Sequence, residues 1–304
     1  MKPKRRLSER LKRTADTIAG AAATAMLAAA RRLDHRSVSN LGSAATRRIG
    51  PWLREHRIGR DNLRAAFPDK TDGEIEAILR GVWDNLGRYG VEFVHLDRIC
   101  SGDPYRRTWI DYTPEAIERF LHLRNDGKPA LIFAAHLANF ELPAVIAASD
   151  GLESTVLYRR PNLGAVADAV IAQRAEIMGE MVPSSLSAPI TLARALERGR
   201  HVAMLVDQHY TRGIDVTFFG RICKVNPLIA MLAREAECPI HGTRVIRLPG
   251  NRFQGDITEE VKPVRDADGR IDVKGTMQAI TDVVEGWVRE HPEQWLWVHR
   301  RWRS

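Results

Sequence analysis

The chain has 304 residues, 44% of them hydrophobic, enough for one sizeable buried core. Its 46 Lys and Arg against 38 Asp and Glu leave a formal charge of +8, which favours anionic partners without choosing among them. Ordinary charged and aromatic fractions exclude an intrinsically disordered chain, and three scattered cysteines (Cys100, Cys223, Cys238) exclude a disulfide framework or a zinc cluster.

In chain order, the first element is basic. Lys2, Lys4, Arg5, Arg6, Arg10, Lys12 and Arg13 precede an uncharged, Ala-rich run from Thr17 to Ala30. As a helix that run spans only about 21 Å, short of the ~30 Å hydrocarbon core of a bilayer. The pattern predicts a helix lying on or dipping into an acidic membrane, with a soluble Ala-rich helix packed on the body as the alternative, and residues 1–35 are read as a membrane-associating segment. Residues 36–125 read as helical. Thr71 with Glu74 forms a capping box ahead of Ile75, Ile78, Leu79, Val82, Trp83 and Leu86 at helical spacing.

After Gly127-Lys128-Pro129 the texture changes, and residues 126–304 read as a catalytic α/β core. Ala130–Ala135, Ser154–Tyr158, His201–Val206 and Ile240–Leu248 have the composition of strands. Helices are expected at residues 164–178, 188–199 and 227–236, the last opened by Asn226 and Pro227. Alternation of this kind predicts a mixed, largely parallel α/β sheet of six or more strands flanked by helices, with its chemistry at the carboxyl ends of strands.

The segment from His136 to Glu141 directly follows the first of those strands. In a helix, residues five apart point about 140° from one another, and in a strand they face opposite sides. The pair can meet only where a strand turns into a helix. There Glu141 is expected to orient the imidazole and His136 to take a proton from a hydroxyl. Spacing alone is a weak signal, since chance His/Glu pairs are common.

Four further segments follow in order: Tyr158-Arg159-Arg160-Pro161-Asn162, Asp207-Gln208-His209, Val216-Thr217-Phe218-Phe219-Gly220, and the run from Pro292 to Trp302. With the His136–Glu141 segment, they resemble the late acyltransferases of bacterial lipid A biosynthesis, within the lysophospholipid acyltransferase superfamily. Asn62 to Pro68 also resembles that family's helical region, so the likeness covers nearly the whole chain. It implies transfer of a fatty acyl chain from acyl carrier protein to a hydroxyl of a lipid A precursor, with no cofactor or metal, on the cytoplasmic face of the inner membrane.

Carried over residue by residue, the resemblance makes His136 the general base and Glu141 its support. Asp207 matches an acidic position that arranges other groups. Arg159 and Arg160 would face phosphate or sugar, with Arg300 and Arg301 in a phosphate or headgroup role. The pattern departs at Met178-Gly179-Glu180, where relatives carry an Arg after the Gly; the nearest Arg is Arg174, whose role stays open. A glycerolipid or other membrane-lipid O-acyltransferase is the close rival, but its usual closing Asp and Phe-Pro-Glu-Gly-Thr-Arg box are replaced here by Glu141 and Val216–Arg221. The non-enzyme rival is a basic peripheral protein on acidic lipid. A nucleic-acid partner is not expected, since no such module is visible.

Overall fold

A computed structural model describes Ala25 and residues 29–104, 106–160 and 166–302. The Ala-rich run expected on the membrane, and Pro161-Asn162, lie almost entirely outside these. Among the described residues no helix is long and apolar enough to cross a membrane.

Two helices open the described chain as a layer of their own, α1 (His35–Ile49) and α3 (Asp72–Glu92), with α2 (Arg54–Ala66) between them. They approach closely because Gly42 and Gly87 meet: a Cβ on Gly42 would lie 2.5 Å from the Gly87 carbonyl oxygen. Thr46 Oγ1 donates to the Trp83 carbonyl at 2.6 Å across the same crossing. The capping box forms, with Glu74 N–H donating to Thr71 Oγ1 at 3.3 Å and Thr71 N–H to Glu74 Oε2 at 2.8 Å. Ile75, Leu79, Val82 and Trp83 are buried, as their spacing requires.

A short α4 (Leu96–Ile99) leads to the sheet, built from β1 (Ile110–Tyr112), β2 (Leu131–Ala134), β3 (Ser154–Tyr158), β4 (Glu180–Pro183), β5 (His201–Leu205), β8 (Ile240–Leu248) and β9 (Arg252–Glu260). The spatial order is β1-β9-β8-β2-β5-β3-β4, and the β8–β9 hairpin supplies its one antiparallel pairing. The architecture is therefore the expected mixed, largely parallel α/β sheet with helices on both faces. β1 arises inside the stretch read as helical, and β4 and β9 were not expected.

Leu131 and Phe133 of β2 point into the main core, which α8 (Ala188–Glu197), α9 (Leu228–Ala236) and α10 (Val273–Glu290) close through Leu192, Ile229, Ala233, Met277 and Trp287. Gly242 lets Phe133 and Trp287 stack at 5.6 Å, since a Cβ there would sit 2.7 Å from the Phe133 ring. Strand alternation turns Ile132 and Ala134 to the opposite face, toward α5 (Pro114–Asn125), α6 (Leu142–Ser149) and α7 (Val166–Ile177). A separate hairpin, β6 (Ile214–Phe218) and β7 (Arg221–Val225), turns through Phe219 and Gly220, both at positive φ.

Candidate active site

Adjacent parallel strands bring two side chains together. In the β2–β5 register Ala134 pairs with Leu205, and two residues beyond each end stand His136 and Asp207. The His136 Nδ1–H donates to Asp207 Oδ1 at 2.7 Å, and the His136 backbone N–H donates to Oδ2 at 2.9 Å. Trp295 Nε1–H adds a third donor to Oδ2 at 2.7 Å. A carboxylate only accepts, so Nδ1 carries the proton and Nε2 keeps its lone pair, which receives the Gln208 amide at 3.0 Å. Burial opposes charge on Asp207, but the imidazole, the His136 backbone N–H and the Trp295 indole N–H outweigh it and hold the carboxyl at about 2.

Glu141 does not orient the imidazole. Leu137 N–H closes a tight turn onto the Ala135 carbonyl at 2.7 Å, Ala138 takes a positive φ of 47°, and the chain enters α6 with Glu141 as its N-cap residue. That path carries Glu141 to a different set of partners. It accepts from Tyr89 Oη at 2.9 Å and from Arg174 Nε at 3.1 Å, with the second Arg174 nitrogen closing a two-pronged ion pair. The expected His136–Glu141 pairing is thus corrected to two neighbouring pairs, His136–Asp207 and Arg174–Glu141. Phe140 packs on both sides of the divide, 4.6 Å from the His136 ring and 4.6 Å from that of Tyr89.

The turn between His136 and Glu141 is held from behind. Ala138 N–H donates to the Gln294 carbonyl at 2.9 Å, and Leu296 N–H to the His136 carbonyl at 3.2 Å. Asn85 of α3 donates to both the Ala138 and Gln294 carbonyls. Beneath them Glu92, fully buried, pairs with Nη1 and Nη2 of Arg247 and accepts from Asn139 and Ser39. Burial opposes its charge, yet Arg247 and the hydrogen bonds hold its carboxyl below the ordinary range.

In front lies a cavity of about 1010 Å³, with His136, Glu141, Arg174 and Gln208 among its lining residues. From His136 it follows Ala134 and Ile132 along the sheet to Phe120, Leu123, Ala147 and Leu152. Most of this stretch is apolar, although Asp150, Arg244 and Asp256 also line the cavity, while Arg159 and Arg160 are exposed and mark its mouth.

The two terminal arginines do not reach it. Arg301 is 2% exposed, donates to the Lys224 carbonyl at 3.1 Å, and stacks over Phe218. Burial lowers its pKa, with Asp207 among the charges that oppose the drop. It is a core cation behind the dyad, and the headgroup role expected for it is corrected. Arg300 is exposed and does not line the cavity. Tyr89, Gln208 and Trp295 are site residues that sequence reasoning passed over. The register of two parallel strands would have pointed to Asp207 as the partner of His136, but neither periodicity nor spacing reveals a tyrosine arriving from a separate helix.

The model of the family described as bacterial lipid A biosynthesis acyltransferase matches residues 4–304. A search among curated proteins returned no match.

Proposed function

The chain belongs to the bacterial lipid A biosynthesis acyltransferases, and from that premise we propose that it moves a fatty acyl chain from an acyl carrier protein thioester to a hydroxyl of a lipid A precursor. The observation that carries this reading is the His136–Asp207 pair at the head of a long, apolar-floored cavity.

The acyl chain lies along Ile132, Leu123 and Leu152, where its burial supplies binding energy. The acceptor hydroxyl displaces the Gln208 amide from His136 Nε2. As its oxygen bonds to the thioester carbonyl carbon, its proton passes to Nε2. The resulting imidazolium is balanced by Asp207 through Nδ1–H. Collapse of the tetrahedral intermediate breaks the C–S bond, and the proton on Nε2 moves to the departing thiolate. The products are an ester and the free carrier thiol. Arg174, fixed by Glu141 on the cavity wall, sets a cation beside the reacting carbonyl. Arg159 and Arg160 take phosphate or sugar oxygens at the mouth.

Residues 36–304 act as the acyltransferase domain. Residues 1–35 tether it to anionic lipid on the cytoplasmic side of the inner membrane, through the cations that precede Thr17. Mass spectrometry of lipid A from a strain lacking this protein tests the reading. One missing acyl chain is the expected result; an unchanged lipid A would refute it.

A further inference from the structure

The cavity mouth has a rim that the reaction does not explain. Ser184 N–H donates to the Tyr158 carbonyl at 2.8 Å, which fastens the β4–α8 loop beside Arg159 and Arg160. Two residues on, Leu186 is 96% exposed, and Ile190, at the start of α8, is 59% exposed. From Met181 to Ala193 the chain carries no charge. Tyr210, 42% exposed, and the exposed Arg212 line the same cavity. A branched aliphatic side chain held almost wholly in water has no folding benefit where it stands.

We infer that this rim is a membrane-inserting lip: Leu186 and Ile190 enter the acyl region of an acidic phospholipid bilayer, and Arg212 meets its phosphates. The inference deepens the proposed function, because it rests on the acceptor being a lipid. Protruding apolar side chains beside exposed cations suit the headgroup boundary of an anionic leaflet, with Tyr210 amphipathic at the same level. A lip seated there opens the cavity directly onto the bilayer. The acceptor then reaches His136 without its acyl chains crossing water.

The test uses a dye that reports local polarity, attached to the full-length Leu186→Cys variant. Cys100, Cys223 and Cys238 are buried, so the introduced thiol is the one that reacts. On vesicles of phosphatidylethanolamine with phosphatidylglycerol the emission should shift to the blue and be lost to nitroxide-labelled lipid. The same dye on an Asp268→Cys variant, at an exposed turn among charged residues, should remain in water. The double variant Leu186→Glu, Ile190→Glu should bind these vesicles at least about a hundredfold more weakly, since it forfeits two buried aliphatic side chains. Neutral vesicles should shield the dye less. A dye at position 186 that stays water-exposed on vesicle-bound protein overturns the inference, as does shielding at position 268 instead or absence of vesicle binding. Shielding without acyl transfer would keep the lip and refute the proposed reaction.

Discussion

At the scale of single residues, the site divides its two carboxylates between an imidazole and a guanidinium. Asp207 serves the imidazole, and Glu141 serves Arg174. Their variants should therefore fail differently. Glu141→Gln weakens the partner of an Arg174 side chain that is itself only 13% exposed. Loss of a buried ion-pair partner costs about 3–5 kcal/mol, so this variant should melt earlier as well as react slowly. Thermal unfolding beside rate measurements checks it; full stability with the same rate loss would show that Glu141 acts on the chemistry alone. The pH dependence of Asp207 has a definite sign. Its folded carboxyl sits at about 2 against an ordinary 3.8, so its contribution to stability is fully present above the unfolded value and is lost as pH falls through the folded one. An Asp207→Asn variant should accordingly lose the wild type's acid-sensitive stability between about pH 4 and 2, measured by unfolding at stepped pH.

Among the elements, the segment after α10 and the turn after β2 work as one piece. Trp295 joins them by placing its indole N–H on Asp207. Trp295→Phe keeps most of the ring packing and removes that donor. A hydrogen bond to a charged group is worth about 1.5–3 kcal/mol, so the variant should fold yet transfer more slowly. Ala138, with its φ of 47°, is strained for any side chain and worse for a β-branched one. Ala138→Val should therefore be poorly folded, as circular dichroism would show, whereas an easily tolerated Val would mean that the turn is not fixed. These elements also mark what the sequence discloses. Ser154–Tyr158 and Ile240–Leu248 are strands over the expected spans, because each is a β-rich run between turn residues. β1 is only three residues long and β9 carries Arg252, Asp256, Glu259 and Glu260, so neither shows an apolar run. His136 is legible as a candidate site residue from its place after a strand. The partner of that histidine was assigned by chain proximity, whereas sheet register decides it, and register joins residues 71 apart in sequence.

For the molecule as a whole, one sheet divides two tasks. Its face toward α8, α9 and α10 is a packed core, and its other face floors the cavity. Acyl-chain length should thus be set by how far the cavity reaches past Ile132. Ala147 lies at its inner end, so Ala147→Phe should fill that end and shift preference toward shorter chains while leaving the dyad intact. Competition between acyl carrier thioesters of different length would reveal it, and an unchanged preference would place the chain elsewhere.

The central claim is that His136, oriented by Asp207, takes the proton from the acceptor hydroxyl. The most direct measurement is the rate of acyl transfer from acyl carrier protein to a lipid A precursor by folded His136→Ala, Asp207→Asn and the double variant. Loss of a general base costs about 10²–10⁴ in rate, and an amide in place of the orienting carboxylate costs about 10⁴ in the Ser-His-Asp triad of a serine protease. Each single variant should fall in that range, and the double variant should be little worse than either, because the two side chains act as a unit. Near-normal transfer by a folded Asp207→Asn variant, or losses that multiply in the double variant, would contradict the account.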